Sequence, residues 1–60
     1  MSQNVKVIYK GRTMYANIEA NKVYLGGDYT EIGDAVGLSK ERADQVREEV
    51  LERARRKASK

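Results

Sequence analysis

Cysteine and histidine are both missing from these 60 residues. Their absence rules out disulfide staples and His or Cys zinc ligation, and it removes the commonest general base and the reactive thiol. A chain this short buries only about 60% of the surface that its unfolded form exposes. Self-association is therefore the expected supplement to a small core. The lack of thiols also suits a reducing compartment, and a cytoplasmic location is expected. Proline is absent too, so punctuation falls to Gly, Asn and Asp. Apolar runs stop at three or four residues, far below the ~18 that a membrane span requires. Met1-Ser2-Gln3-Asn4 does not resemble the start of a signal peptide, so a soluble chain with no membrane partner is expected.

What is present begins with charge. The formal net charge is +3, and its distribution says more than its sum. Arg53, Arg55, Arg56, Lys57 and Lys60 follow one another at the C-terminal end with no acid after Arg53. Such an end suits a polyanion or a solvated helix terminus.

Hydrophobic periodicity divides the chain in two. Val5, Val7 and Tyr9 alternate with Lys6, Ile8 and Lys10, the period of a strand. Gly11-Arg12 is the expected turn, after which Met14, Ala16 and Ile18 oppose Tyr15, Asn17 and Glu19 as an antiparallel partner. A second turn at Asn21-Lys22 leads to a short strand, Val23-Tyr24-Leu25, closed by Gly26-Gly27. Residues 1–27 thus predict a β-meander.

The period then shifts to about 3.6. Asp28-Tyr29-Thr30-Glu31 has the spacing of a capping box, predicting a short helix with Ile32, Ala35 and Val36 on its apolar face and Gly37 at its end. Ser39 is the natural N-cap of a second helix running to about Arg56, supported by Glu49 with Arg53 and Glu52 with Arg56 at i,i+4. Two helices joined by Gly37-Leu38-Ser39 are the geometry of a helix-turn-helix. Ile32, Val36, Leu38, Ala43 and Val46 fall where steeply crossing helices meet, and Gly33 supplies the close approach. The expected fold is α+β, an antiparallel meander followed by a two-helix, winged-helix-like unit over 28–57 and a basic tail at 58–60, all one domain.

On that scaffold Ser39, Lys40, Glu41, Asp44 and Gln45 occupy the face that would enter the major groove of double-stranded DNA. Lys40 can donate to guanine, Glu41 can accept from cytosine, and Gln45 can pair with adenine. Arg42 and Arg47 flank that face as phosphate contacts; Arg12 at the hairpin turn and Arg55 and Arg56 in the basic end extend the set. The stripe Ala43, Val46, Val50, Leu51, Ala54 and Ala58 outruns what two short elements can cover. It predicts a homodimer through Val50, Leu51 and Ala54, with packing against Val7, Tyr9 and Ile18 as the alternative.

The segment Asp28 to Val46, with its Ile32-Gly33 pair, its Gly37-Leu38-Ser39 turn and Lys40-Glu41-Arg42 followed by Gln45, resembles the helix-turn-helix in the fourth conserved region of bacterial sigma factors. The resemblance extends weakly to about Lys57 and leaves residues 1–27 unmatched. It implies promoter-type DNA reading, with Lys40, Glu41 and Gln45 on bases and Arg42 on the backbone. Asp44 departs from it, standing where that family usually carries a basic residue.

The function expected from the sequence is a sequence-specific DNA-binding protein, such as a small transcription regulator or recombination accessory factor. The alternatives are a ribbon-helix-helix dimer, an architectural protein that coats DNA, and a protein-interaction module whose partner is RNA polymerase or another protein. No catalysis, cofactor or metal is expected. Ser39 serves as a cap, and Asp28, Glu31 and Asp34, the acids that could hold Mg²⁺ or Ca²⁺, lack a loop of liganding oxygens.

Overall fold

The computed structural model describes residues 4–59; Met1-Ser2-Gln3 and Lys60 of the basic end lie outside them. Strands β1 (Asn4–Tyr9), β2 (Arg12–Asn17) and β3 (Lys22–Leu25) form an antiparallel sheet in chain order. One long helix, α1 (Lys40–Ala58), packs across one face of it.

The alternation of the sequence becomes the two faces of this sheet. Val7, Tyr9, Met14, Ala16 and Val23 are buried toward the helix, with Val5, Ile18 and Leu25 half-covered around them. The β1–β2 turn sits one residue earlier than its sequence suggests. Tyr9 pairs with Arg12, and Lys10 and Gly11 both have positive φ, 49° and 78°, the requirement of the two-residue turn whose twist matches a hairpin. In the second connection Asn21 has φ 59°, while the Asn17 carboxamide oxygen accepts the Ala20 N–H at 3.0 Å. At the end of β3, Gly26 must be glycine for lack of room. A Cβ there would stand 2.7 Å from the Thr13 carbonyl oxygen, to which the Gly26 N–H donates at 2.9 Å.

α1 follows its sequence closely. The Ser39 hydroxyl accepts the Arg42 N–H at 3.2 Å, Glu41 stands in the first turn, and Arg55, Arg56 and Lys57 stand in the last. All four charges complement the helix dipole. Ala43, Val46, Val50, Leu51 and Ala54 face the sheet; Ala58 is exposed. Of the two i,i+4 pairs, Arg56 with Glu52 forms at 2.7 Å. Glu49 instead accepts the Tyr9 hydroxyl at 2.7 Å, and Arg53 lies 4.8 Å from the centre of the Tyr9 ring.

The helix-turn-helix expectation is overturned. The expected first helix is reduced to a single 3₁₀ turn, Ile32–Asp34, so a two-helix scaffold, winged or ribbon-helix-helix, is not formed. Three local facts explain this. The chain first folds back along β3, with Leu25 N–H donating to Thr30 O at 2.8 Å and Glu31 bridged to Tyr24, so the backbone groups that would start a helix are engaged in the sheet. The capping box does not close either. Asp28 accepts from Thr30 N–H at 3.2 Å, and Glu31 pairs with Lys22 at 3.5 Å. What remains holds Gly33 and Gly37, each about 1 kcal/mol worse than Ala in a helix, in a segment too short to repay nucleation. Ile32 alone anchors it, at 1% exposure, while Val36 is wholly exposed and Gly33 makes no close backbone contact.

Tyr9 offers a pH test of the docking of α1 on β1. Its hydroxyl is held above the usual value of 10.0, chiefly by the hydrogen bond to Glu49, then by burial and the Glu49 charge, with Arg53 and Arg42 opposing. The unfolded chain therefore loses this proton first. The contribution is complete below 10.0 and is lost as pH climbs through the raised value. Wild type should lose urea resistance above that pH more steeply than Tyr9→Phe; parallel curves for the two proteins would contradict the assignment.

Candidate nucleic-acid interface

The residues expected to read DNA do not form a reading head. Lys40, Glu41 and Gln45 are exposed along the first turns of α1 and Ser39 caps it, with no second helix to brace them across a groove. Asp44 is half-buried and bound to Arg47 at 2.6 Å, so one expected phosphate contact is neutralised by one expected base contact. Arg56 is paired with Glu52, and Arg55 reaches the Asn21 side-chain oxygen at 3.4 Å. Exposed Glu41, Glu48 and Glu52 share the outer surface of the helix with these cations. A phosphate backbone laid there would meet both signs of charge. Arg12 and Arg42 stand elsewhere, at the rim of a groove near the hairpin turn. Val50, Leu51 and Ala54, the expected dimer contacts, are 0%, 2% and 0% exposed within one chain. Their packing on the sheet leaves no surface there for a second copy.

The opposite face of the sheet has a different character. Alternation and register set it row by row. Asn4, Asn17 and Lys22 form one row; Lys6, Tyr15 and Tyr24 form the next; Ile8 and Thr13 form the third. α1 lies on the other side, so these side chains face outward, and Ile8 is 58% exposed.

Tyr29 completes the surface. The loop after β3 turns sharply, with Tyr29 N–H donating to Leu25 O at 3.2 Å, and places the Tyr29 ring on Tyr15 with centroids 5.3 Å apart and planes 29° from parallel. Tyr29 has φ 59°, a left-handed conformation that costs a bulky residue about 1–2 kcal/mol. Asp28 at the loop tip has its carboxyl held below the usual value by hydrogen bonds from the Thr30 side chain and then from its backbone. The loop therefore keeps a half-exposed aromatic ring over the sheet in spite of backbone strain. Three of the four tyrosines of the chain meet on this face.

Cations border it on the β1 side. Lys57 Nζ donates to the Lys6 carbonyl at 3.0 Å, which brings the basic end of α1 to the outer edge of β1. Lys10 Nζ lies 5.5 Å from the Tyr9 ring centre, with Arg53 over the same ring. Lys6 stands on the aromatic face and Lys57 reaches the β1 edge beside it, whereas Lys10 and Arg53 lie against Tyr9 on the helix side, where the Tyr9 hydroxyl holds Glu49.

Comparison with protein-family models, with curated proteins and with solved structures finds no match. No helix among the described residues is long and apolar enough to cross a membrane.

Sequence reasoning passed over this surface because it sought function where the period was 3.6. The signal was there: Tyr15 and Tyr24 fall on the outward parity of their strands, where a solvated sheet normally carries small or charged residues.

Proposed function

We propose that the chain is a nucleic-acid-binding module that works through its open sheet face and not through the helix, and that it acts without catalysis. The observation that carries this reading is the pair of stacked rings, Tyr15 and Tyr29, held over an uncovered sheet with Lys6 on the same face and Lys57 at its β1 edge. Aromatic rings on a sheet are platforms for unpaired bases, because every base has a flat face, and neighbouring cations track the backbone. Bases within a duplex are already stacked on one another. Single-stranded DNA or RNA is therefore the favoured ligand, and the expectation of DNA binding moves from the major groove to an extended strand. A cytoplasmic setting goes with this reading.

The chain has no tryptophan, so its emission comes from tyrosine, and three of its four rings lie on this face. Titration with oligothymidylate, oligouridylate and a duplex of equal length should give quenching by the single strands, with affinity falling as salt rises. Amide shifts should concentrate on β1, β2, β3 and the Tyr29 loop. Equal or tighter binding of the duplex, or shifts confined to α1, would sink the proposal. Dimerisation through the open face, detected by sedimentation without any nucleotide effect, would replace it with a sheet-to-sheet assembly.

A further inference from the structure

We infer a second binding surface on the opposite side of the sheet: a groove that docks an acidic amphipathic peptide segment of a partner protein. The groove, of about 380 Å³, opens between the β1–β2 turn and the loop from Ala35 to Leu38. Met14, Ile32, Leu38 and Val46 supply its apolar wall. Val36 stands on its lip, 100% exposed, although an aliphatic side chain gains roughly 1.5–3 kcal/mol when fully removed from water.

Charge decides the occupant. Lys10, Arg12 and Arg42 surround the opening, no acid is among the lining residues, and none of the three cations belongs to an ion pair among the described residues. Arginine forks match carboxylates in two parallel hydrogen bonds. The wall is aliphatic, with Tyr9 its only aromatic member, so it offers little to a nucleobase and much to a Leu, Ile or Val side chain. A helix with aliphatic residues on one face and Asp or Glu beside them satisfies both requirements, in the manner of helix-in-groove recognition. A second copy fits poorly, because the aliphatic stripe of α1 is already buried in its own chain. This surface does not depend on the nucleic-acid reading, and the two could be occupied together.

The test is a selection of random peptides displayed on phage against the immobilised full chain, followed by synthesis of the enriched sequences. Enrichment of aliphatic residues interleaved with Asp and Glu is expected. Their affinity should fall roughly tenfold or more in Val36→Asp and in Arg42→Glu, as for anchors at the centre of an interface. Both positions are exposed, so both variants should fold, and oligothymidylate binding should be unchanged in Val36→Asp. Failure to enrich any peptide, enrichment of basic or neutral peptides, binders that tolerate Val36→Asp, or shifts mapped to the Tyr15 face would each overturn the inference. So would concentration-dependent shifts at Val36 in the protein alone, which would assign the groove to a second copy.

Discussion

Ile32→Ala is expected to remove about half of the folding stability of the chain. A domain of 60 residues has a total stability of roughly 3–9 kcal/mol by the usual 0.05–0.15 kcal/mol per residue. Truncating a fully buried Ile to Ala removes about 2–5 kcal/mol. Ile32 is 1% exposed and belongs to the cluster that includes Val46 and Val50. It is also the one buried residue of the 3₁₀ turn, so nothing within the turn can move in to fill the space. The loss should propagate, because this turn pins the segment between Tyr24 and Ser39 to the core. Urea unfolding followed by far-ultraviolet circular dichroism checks it. A midpoint shift equivalent to less than about 1 kcal/mol would mean that the turn is not anchored as described.

Tyr29→Asn should separate stability from function. The substitution removes an aromatic stack worth about 0.5–1.5 kcal/mol, but Asn tolerates the left-handed backbone that strains Tyr, which returns about 1 kcal/mol. Folding stability should therefore stay within roughly 0.5 kcal/mol of wild type, since these contributions nearly cancel. Affinity for a single strand should fall by about ten- to a hundredfold, since one base stacked on an aromatic ring contributes ~1–3 kcal/mol. Fluorescence anisotropy of a labelled oligonucleotide, read beside a thermal melt, gives both quantities. Unchanged affinity with unchanged stability would remove Tyr29 from the interface.

How much of the fold is legible in the sequence depends on how local its cause is. β1, β2 and β3 follow from alternation, and α1 follows from a Ser39 cap and an apolar stripe, because each signal lies within a few residues of its effect. The stretch from Asp28 to Val36 misled because its pattern is helical while its backbone has a better partner in β3. A neighbouring strand edge outbids a short helix, and no spacing within the segment records that edge. The stacking of Tyr29 on Tyr15 escaped notice for the same reason. It depends on a positive φ that the sequence of a tyrosine gives no cause to expect. The basic edge of that face joins Lys6 to Lys57, 51 positions apart, and appears only when α1 crosses the sheet. The apolar stripe of α1 was legible but its partner was not: Val50, Leu51 and Ala54, expected at a dimer contact, are buried within the single chain.

Because strand order equals chain order, each ladder can zip from its own reversal without waiting for a distant segment. Lys10-Gly11 brings β1 onto β2 across two residues, and β3 joins β2 after a connection of only four. Such nearby closures carry little entropic penalty and belong to the rapidly folding end of small domains. The remaining kinetic hurdle is the arrival of α1, whose contacts with β1 bridge some 40–51 positions along the chain. The hairpins would then form an early template, and the helix would lock it.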